Sequence, residues 1–261
     1  MKKHRASIRR ATDADMKMIY SWLLQEEENE VEDNFLCYWK DTEQQHREKN
    51  LFVYLDETTN TPVAYQWGGL MTQWSVMQVR QDMRKKGIGK KLVAHCIAQA
   101  EKRNECLLLI ECNPPSSIPF WQTMGFTLLP PENEQNYAYK LLTKQHRLPK
   151  NGAATKVAIA FYPEKKLHEK NIKIDALSQT VPSAIKTSDN VIHLAQRIFF
   201  SKAILKDYCY AVGDVVVEIK VDDDLWYFDK AKYPAAQQCG VYPCTHGFYI
   251  DRLQKIPIAI G

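Results

Sequence analysis

The chain has 261 residues, enough for two domains of ordinary size, and 45% of them are hydrophobic and 25% charged, as in globular proteins. Its formal net charge of +4 is too small to argue by itself for nucleic acid or an anionic membrane. Seven cysteines without a regular framework point to reduced thiols and a cytoplasmic setting; no apolar run of signal-peptide length follows Met1-Lys-Lys-His-Arg5, and none approaches the roughly 20 apolar residues that cross a bilayer.

Residues 7–10 read as a first strand. Thr12 or Asp13 is an N-cap, with Asp15 in the first turn, and the helix runs to about Leu24 with Met16, Ile19, Tyr20, Leu23 and Leu24 on one face. The acidic run Glu26-Glu-Glu-Asn-Glu30 reads either as a solvated helix end or as a rim that attracts a cationic amine. Residues 35–39 form a short helix over a substrate cleft. Strands follow at 51–55 and 62–70, with a turn at 58–62. Gly68-Gly69 suggests a bulge or a close backbone approach.

Residues 73–79 are the next strand, and Arg84-Lys-Lys-Gly-Ile-Gly-Lys-Lys91 follows it. The helix that begins there repeats apolar residues at Ile88, Leu92, Val93, Cys96, Ile97 and Ala100 and ends near Asn104. Glycine lets backbone approach a ligand closely, and the first amides of a helix have no partner inside it and carry partial positive charge. Strand, Gly-x-Gly turn and helix start therefore make a seat for phosphate oxygens, flanked by Arg84, Lys85, Lys86, Lys90 and Lys91. The stretch is neither a Walker P-loop nor the three-glycine dinucleotide fingerprint. The ligand expected there is a pyrophosphate.

Next comes a strand at 106–112 with almost no polar residue before Glu111, as in a strand covered on both faces. Then come Glu111-Cys-Asn113, a break at 114–117, a short helix at 118–124 within Phe120-Trp-Gln-Thr-Met-Gly-Phe126, and a strand at 137–142. This order resembles the GCN5-related N-acetyltransferase (GNAT) superfamily, whose segments read approximately Val-x-x-x-x-Arg-Gly-x-Gly-x-Gly, then Asn, then Phe-Tyr-x-x-x-Gly-Phe. The resemblance covers residues 1–145 and does not extend further.

The resemblance implies an α/β fold around a mixed sheet and acetyl-coenzyme A as cosubstrate. It places the pyrophosphate on the backbone of Lys86, Gly87, Ile88, Gly89 and Lys90, with Arg84 and Lys85 adding charge. The pantetheine arm would lie along the strand that holds Met77 and Val79, where that strand splays from the next, and Asn113, Phe120 and Trp121 would complete the cofactor site. Trp121 stands eight residues after Asn113, one more than is usual, and where the family has a tyrosine as general acid. An indole N–H has no useful acidity. Cys112, Tyr137 or Tyr139 would have to substitute, or the thiol, with a pKa of about 8.5, would leave unassisted. The strand 73–79 also lacks the carboxylate the family often uses as base. Glu111 is the nearest candidate, and apolar neighbours would raise its pKa; Glu30 and Glu32 are others. Glu111, Cys112 and Tyr139 are thus the catalytic candidates. Cys112 as an acyl-carrying nucleophile is disfavoured, since no His lies near it in sequence.

Residues 1–147 form the first domain, 148–155 the linker within a polar stretch that begins at Gln145, and 156–261 a smaller α+β domain rich in strands. In the latter, strands are expected at 157–162 and 247–253, a helix at 188–199, and a hairpin of 211–221 with 225–228 turning at Asp222-Asp-Asp224. Cys239, Cys244 and His246 are too few and too loosely spaced for zinc, and no metal is expected. Aromatics with Lys165, Lys166 and Lys170 suggest nucleic acid weakly, and core strands explain them better. The expected activity is N-acetylation of an amine on a small molecule, protein or peptide. The second domain would select the acceptor or form a homodimer. The alternative is a catalytically weak module that senses acetyl-coenzyme A. No membrane role is expected.

Overall fold

The computed structural model describes residues 8–71, 74–130, 136–169, 172–201 and 215–255. The basic start, Ser7, Gln73, Lys170 and 211–214, which entered the sequence reading, lie outside the described residues. The chain divides into two compact units, 1–141 and 142–261. No helix among the described residues is long and apolar enough to cross a membrane.

The first unit runs β1 (Ile8–Arg10), α1 (Asp13–Glu28), α2 (Trp39–Arg47), β2 (Phe52–Leu55), β3 (Pro62–Trp67), β4 (Val76–Val79), α3 (Ile88–Lys102), β5 (Leu107–Glu111), α4 (Ile118–Thr123), β6 (Thr127–Leu128) and β7 (Tyr137–Leu141). β1 to β4 pair in sequence order in one sheet, and β5, β7 and β6 form another, all antiparallel. β4 and β5 are the edges of these two sheets and do not pair with each other.

Helices cover both faces of the first sheet. Ile19 and Leu23 of α1 pack with Val53, Leu55, Tyr65 and Trp67 on one side. Ile88 and Leu92 of α3 pack with Tyr54, Val63 and Ala64 on the other. β3 is buried at every residue, as a strand between two helical layers must be. A register shift at Tyr54/Leu55 supplies the sheet's bulge, whereas Gly68-Gly69 lies beyond β3 and serves close approach: a Cβ on Gly68 would stand 2.6 Å from Ser75 Oγ.

α1 differs from its expected face. Its buried residues are Asp15, Met16, Ile19, Trp22, Leu23 and Glu26, while Tyr20 is exposed. Two carboxylates lie on the inward stripe because each has partners there. Asp15 closes a capping box with Thr12 and takes both guanidinium nitrogens of Arg9, at 2.6 and 3.0 Å. Glu26 accepts from the Gln81 backbone N–H at 2.7 Å and from Gln78 Nε2 at 3.2 Å. Residue 26 is therefore neither solvated nor part of a rim; Glu27, Glu28 and Glu30 are exposed.

The second unit runs β8 (Ala153–Ala154), β9 (Val157–Pro163), β10 (Ser178–Thr180), β11 (Ala184–Lys186), β12 (Val191–Ser201), β13 (Val215–Val221), β14 (Asp224–Lys230), α5 (Pro234–Cys239), β15 (Tyr242–Cys244) and β16 (Gly247–Gln254). Its sheets, ordered β10-β9-β13-β14 and β15-β16-β12-β11-β8, share one core, in which Phe161 stacks on Phe200 at 5.0 Å. Part of the stretch read as a linker is strand β8, paired with β11. The expected hairpin forms, with Asp222 (φ 51°) and Asp223 (φ 69°) as a left-handed two-residue turn.

The helix expected at 188–199 is instead β12, the long central partner of β16 and β11. Ile192 and Leu194 face the core at strand spacing, and a register shift between His193 and Ile198 sets the next buried residue further on. That irregularity mimics a helical repeat. Cys239 belongs to the core, and among the described residues no cluster of metal-ligating side chains forms.

At that shift Arg197, with 2% of its side chain exposed, donates to Asp251 through Nε at 2.8 Å and through its terminal nitrogen at 2.6 Å. His146 Nε2 lies 2.9 Å from the same carboxylate. Burial alone would raise the Asp251 carboxyl, but the hydrogen bonds from Arg197 and His146 outweigh it and hold the group below the usual carboxylate range. The stability it contributes is present above that range and is lost as pH falls through the depressed native value. Asp251→Ala leaves a buried guanidinium without its carboxylate and is expected to cost about 3 kcal/mol, read by urea denaturation of the full chain, with a flatter stability profile in acid.

Candidate active site: a cavity where two sheets part

A cavity of about 500 Å³ opens where the two sheets of the first unit part. One wall is β4 and the residue before it, with Ser75, Met77, Gln78 and Val79. β4 is the last strand of its sheet, so among the described residues its outer edge has no strand partner and can pair with amides of a ligand. Gln78 is held from behind: its Oε1 accepts from the Phe35 N–H at 3.1 Å and from the Tyr65 hydroxyl at 3.3 Å, while its Nε2 donates to Glu26. Burial raises the Glu26 carboxyl above its usual range, against the opposing hydrogen bond from the Gln81 N–H.

The floor is the turn into α3. Lys85 (φ 62°) and Gly87 (φ 80°) are both left-handed, and Gly87 is the N-cap of α3. No side chain caps this helix, and its first turn carries no carboxylate. α1, by contrast, is closed by its own Thr12 and Asp15. The first-turn amides of α3 therefore stand ready for an anion, with Arg84, Lys85, Gly87, Ile88, Gly89 and Lys90 lining the cavity around them. The cations are not equivalent. Arg84 Nε donates to the Val79 carbonyl at 3.1 Å, which fixes its head beside the end of β4. Lys91 turns to the Tyr54 hydroxyl at 2.7 Å, and Lys86 Nζ lies 3.3 Å from the Met83 sulfur; neither lines the cavity.

The far wall comes from the end of β5 and from α4: Glu111, Asn113, Phe120 and Trp121. Trp121 is 7% exposed and edge-on to Phe120 at 5.0 Å and to Phe126 at 5.2 Å, so it serves as an apolar wall. Phe120 lies against the helix tip, where a Cβ on Gly89 would stand 3.2 Å from its ring.

Of the catalytic candidates, only Glu111 lines the cavity. Cys112 follows it just past the strand, does not line the cavity and is buried; burial and the neighbouring Glu111 charge push its thiol up to about 11, so at neutral pH it is not a nucleophilic thiolate. Tyr139 pairs with Leu109 across β5 and β7, and neither it, Tyr137, Glu30 nor Glu32 lines the cavity.

A second, narrow cavity of about 60 Å³ adjoins the first. Phe35, Tyr38, Trp67, Trp74, Ser75, Val76, Glu111 and Asn113 line it, and Phe35, Ser75, Glu111 and Asn113 belong to both. Sequence reasoning placed 35–39 over the cleft but did not find Trp67 or Trp74. Their signal was weak, since tryptophans in and beside a strand read as core.

No curated protein matches the chain. The profile of the Acetyltransferase (GNAT) family matches residues 16–126. Solved structures similar to this chain include an acetyltransferase of the GNAT family from Staphylococcus aureus Mu50, 16% identical, covering 53% of this chain and 99% of its own, with a TM-score of 0.41. Others are a ribosomal-protein-alanine N-acetyltransferase from Brucella melitensis (20% identity, 52% and 99% covered, TM-score 0.39) and a phosphinothricin acetyltransferase from Sinorhizobium meliloti in complex with acetyl-coenzyme A (16% identity, 52% and 88% covered, TM-score 0.41). The profile match runs from within α1 through β4, the uncapped tip of α3, β5 and α4, and stops before the second unit: residues 16–126 of this chain match the acetyltransferase (GNAT) family.

Proposed function

We propose that the first unit moves an acetyl group from acetyl-coenzyme A to a primary amine by direct attack on the thioester. The uncapped, carboxylate-free tip of α3 at one end of a cavity bounded by the free edge of β4 carries this reading. The tip amides, with Lys85 and Lys90 beside them, receive the pyrophosphate. The edge of β4 pairs with the amides of the pantetheine arm, and Trp121 and Phe120 cover its apolar length. The thioester then arrives near Glu111 and Asn113, where the two cavities meet.

Glu111 takes a proton from the acceptor ammonium, and the freed nitrogen lone pair attacks the thioester carbonyl carbon. The C–N bond forms, the C–S bond breaks, and the thiolate takes the second proton lost by nitrogen. No acid stands where Trp121 does, and the thiol's pKa of about 8.5 makes the thiolate a tolerable leaving group without one.

Replacing Glu111 with Gln removes the base but keeps the shape of the wall. The expected loss is about 10²-fold or more in kcat at neutral pH, with the KM for acetyl-coenzyme A unchanged. The deficit should shrink as pH rises toward the amine's own pKa of about 10.4, because the free amine then needs no base. An unaltered pH–rate profile would remove Glu111 from the role.

Gly89→Tyr drives a ring into Phe120 at the helix tip. Affinity for acetyl-coenzyme A by calorimetry is expected to fall about 100-fold, the worth of two charge-assisted hydrogen bonds at about 1.5 kcal/mol each. Tight binding by the unmodified chain with no thiol release across an amine library would leave a sensing module in place of an enzyme.

A further inference from the structure

We infer that the acceptor is an unbranched aliphatic cation ending in –CH₂–NH₃⁺, held in the aromatic pocket that meets the donor cavity at Glu111; this rests on the acetyl-transfer reading above. The pocket's lining carries three marks of such a ligand. It is aromatic on several sides, through Phe35, Tyr38, Trp67 and Trp74, and ring faces attract ammonium ions. Among the described residues its one carboxylate is Glu111, and no Lys or Arg lines it. It is narrow: a cavity of about 150 Å³ holds benzene, so about 60 Å³ has room for about two or three heavy atoms. An aminomethyl end, two heavy atoms, fits that volume with room for the next methylene. An α-branched end fills it with the branch alone, and an aryl ring exceeds it.

The walls are held in place. Trp67 is 5% exposed, and its Nε1 donates to Thr42 Oγ1 at 3.1 Å, which fixes the ring. Asn34 Nδ2 donates to the Leu23 carbonyl at 2.7 Å and the Phe35 N–H donates to Gln78, so the segment that brings Phe35 and Tyr38 is tied to α1 and β4. Trp74 is different: 75% of it is exposed, a large apolar surface at the pocket mouth that a methylene chain would cover. The segment that leads to Phe35 is acidic, and its Asp33 lines the adjoining donor cavity. Between Met18 and Trp39 the sequence has no Lys or Arg, while Glu27, Glu28, Glu30, Glu32 and Asp33 lead directly into the pocket wall. A field of that sign concentrates cations at the mouth and repels acidic acceptors.

Free linear diamines and polyamines present this chemistry, as does the side chain of lysine in a peptide. The test measures thiol release from acetyl-coenzyme A by the full chain, with 1,5-diaminopentane, an N-terminally blocked lysine peptide, an α-branched isomer of the diamine, and aniline. The expected result is a kcat/KM at least 10-fold higher for one or both linear ω-amines than for the branched and aryl amines. The better of the first two identifies the source as a small molecule or a peptide. Trp74→Ala, at an exposed position that cannot endanger the fold, should raise the KM for the linear amine about 5- to 30-fold with kcat held, and Trp74→Phe should recover most of it. Equal rates with branched or aryl amines, or an unmoved KM in Trp74→Ala, would overturn the inference while leaving acetyl transfer standing. Thiol release with no amine at all would overturn both.

Discussion

The first unit depends on one unsatisfied set of groups. The opening amides of α3 cannot bond within their own helix, and the protein supplies no cap for them. The same chain shows how such a tip is closed when it is structural: Thr12 and Asp15 cap α1 reciprocally, and Arg9 neutralises the carboxylate. The difference between the two helices is a few side chains. At α1 a hydroxyl and a carboxylate fill the space over the amides. At α3 the N-cap is a glycine with nothing within 4 Å of where its Cβ would stand. That open space leaves the dipole end of the helix accessible to an anion.

The rest of the unit aims that tip and keeps the space beside it open. α3 is seated by Ile88 and Leu92 on a sheet whose central strand, β3, is buried throughout. β5 finds its partner in β7 instead of β4. An unpaired strand edge invites unwanted association, and β4 limits that hazard by being four residues long and by sending its last carbonyl to Arg84. The buried Glu26, Gln78, Tyr65 and Phe35 N–H network braces β4 from the opposite side. A desolvated carboxylate there is costly, and the hydrogen bonds it accepts from the Gln81 N–H and from Gln78 offset part of the cost while fixing the β4 wall.

Much of this was legible because the relevant signals are local. The capping residue Thr12, the Gly-x-Gly turn, the apolar repeat of α3 and the continuous apolar run of β5 all depend on neighbours within a few positions. What misled were places where distant partners changed the meaning of a residue. Glu26 reads as part of a solvated acidic run until β4 brings Gln78 and Gln81 to it. The segment 188–199 reads as a helix because an irregularity in β12 spaces its buried residues like one; its pairing with β16, some fifty positions later, decides otherwise. Cys112 and Tyr139 looked available for chemistry, but neither lines the cavity: Cys112 follows Glu111 just past β5 and is buried, and Tyr139 pairs with Leu109, two positions back along β5 from Glu111.

The sequence by itself determined the Gly-x-Gly turn with its flanking cations, the strands and helix around it, and a carboxylate, Glu111, close to an asparagine and an aromatic pair. Only the tertiary structure decided that β4 and β5 part, that Lys86 and Lys91 turn from the seat, and that Phe35, Tyr38, Trp67 and Trp74 converge on Glu111. The physical reason is range. Turns, caps and helix periodicity are set by interactions along the chain, whereas a cavity is the space left between elements, and its walls come from segments whose sequence separation carries no local signal.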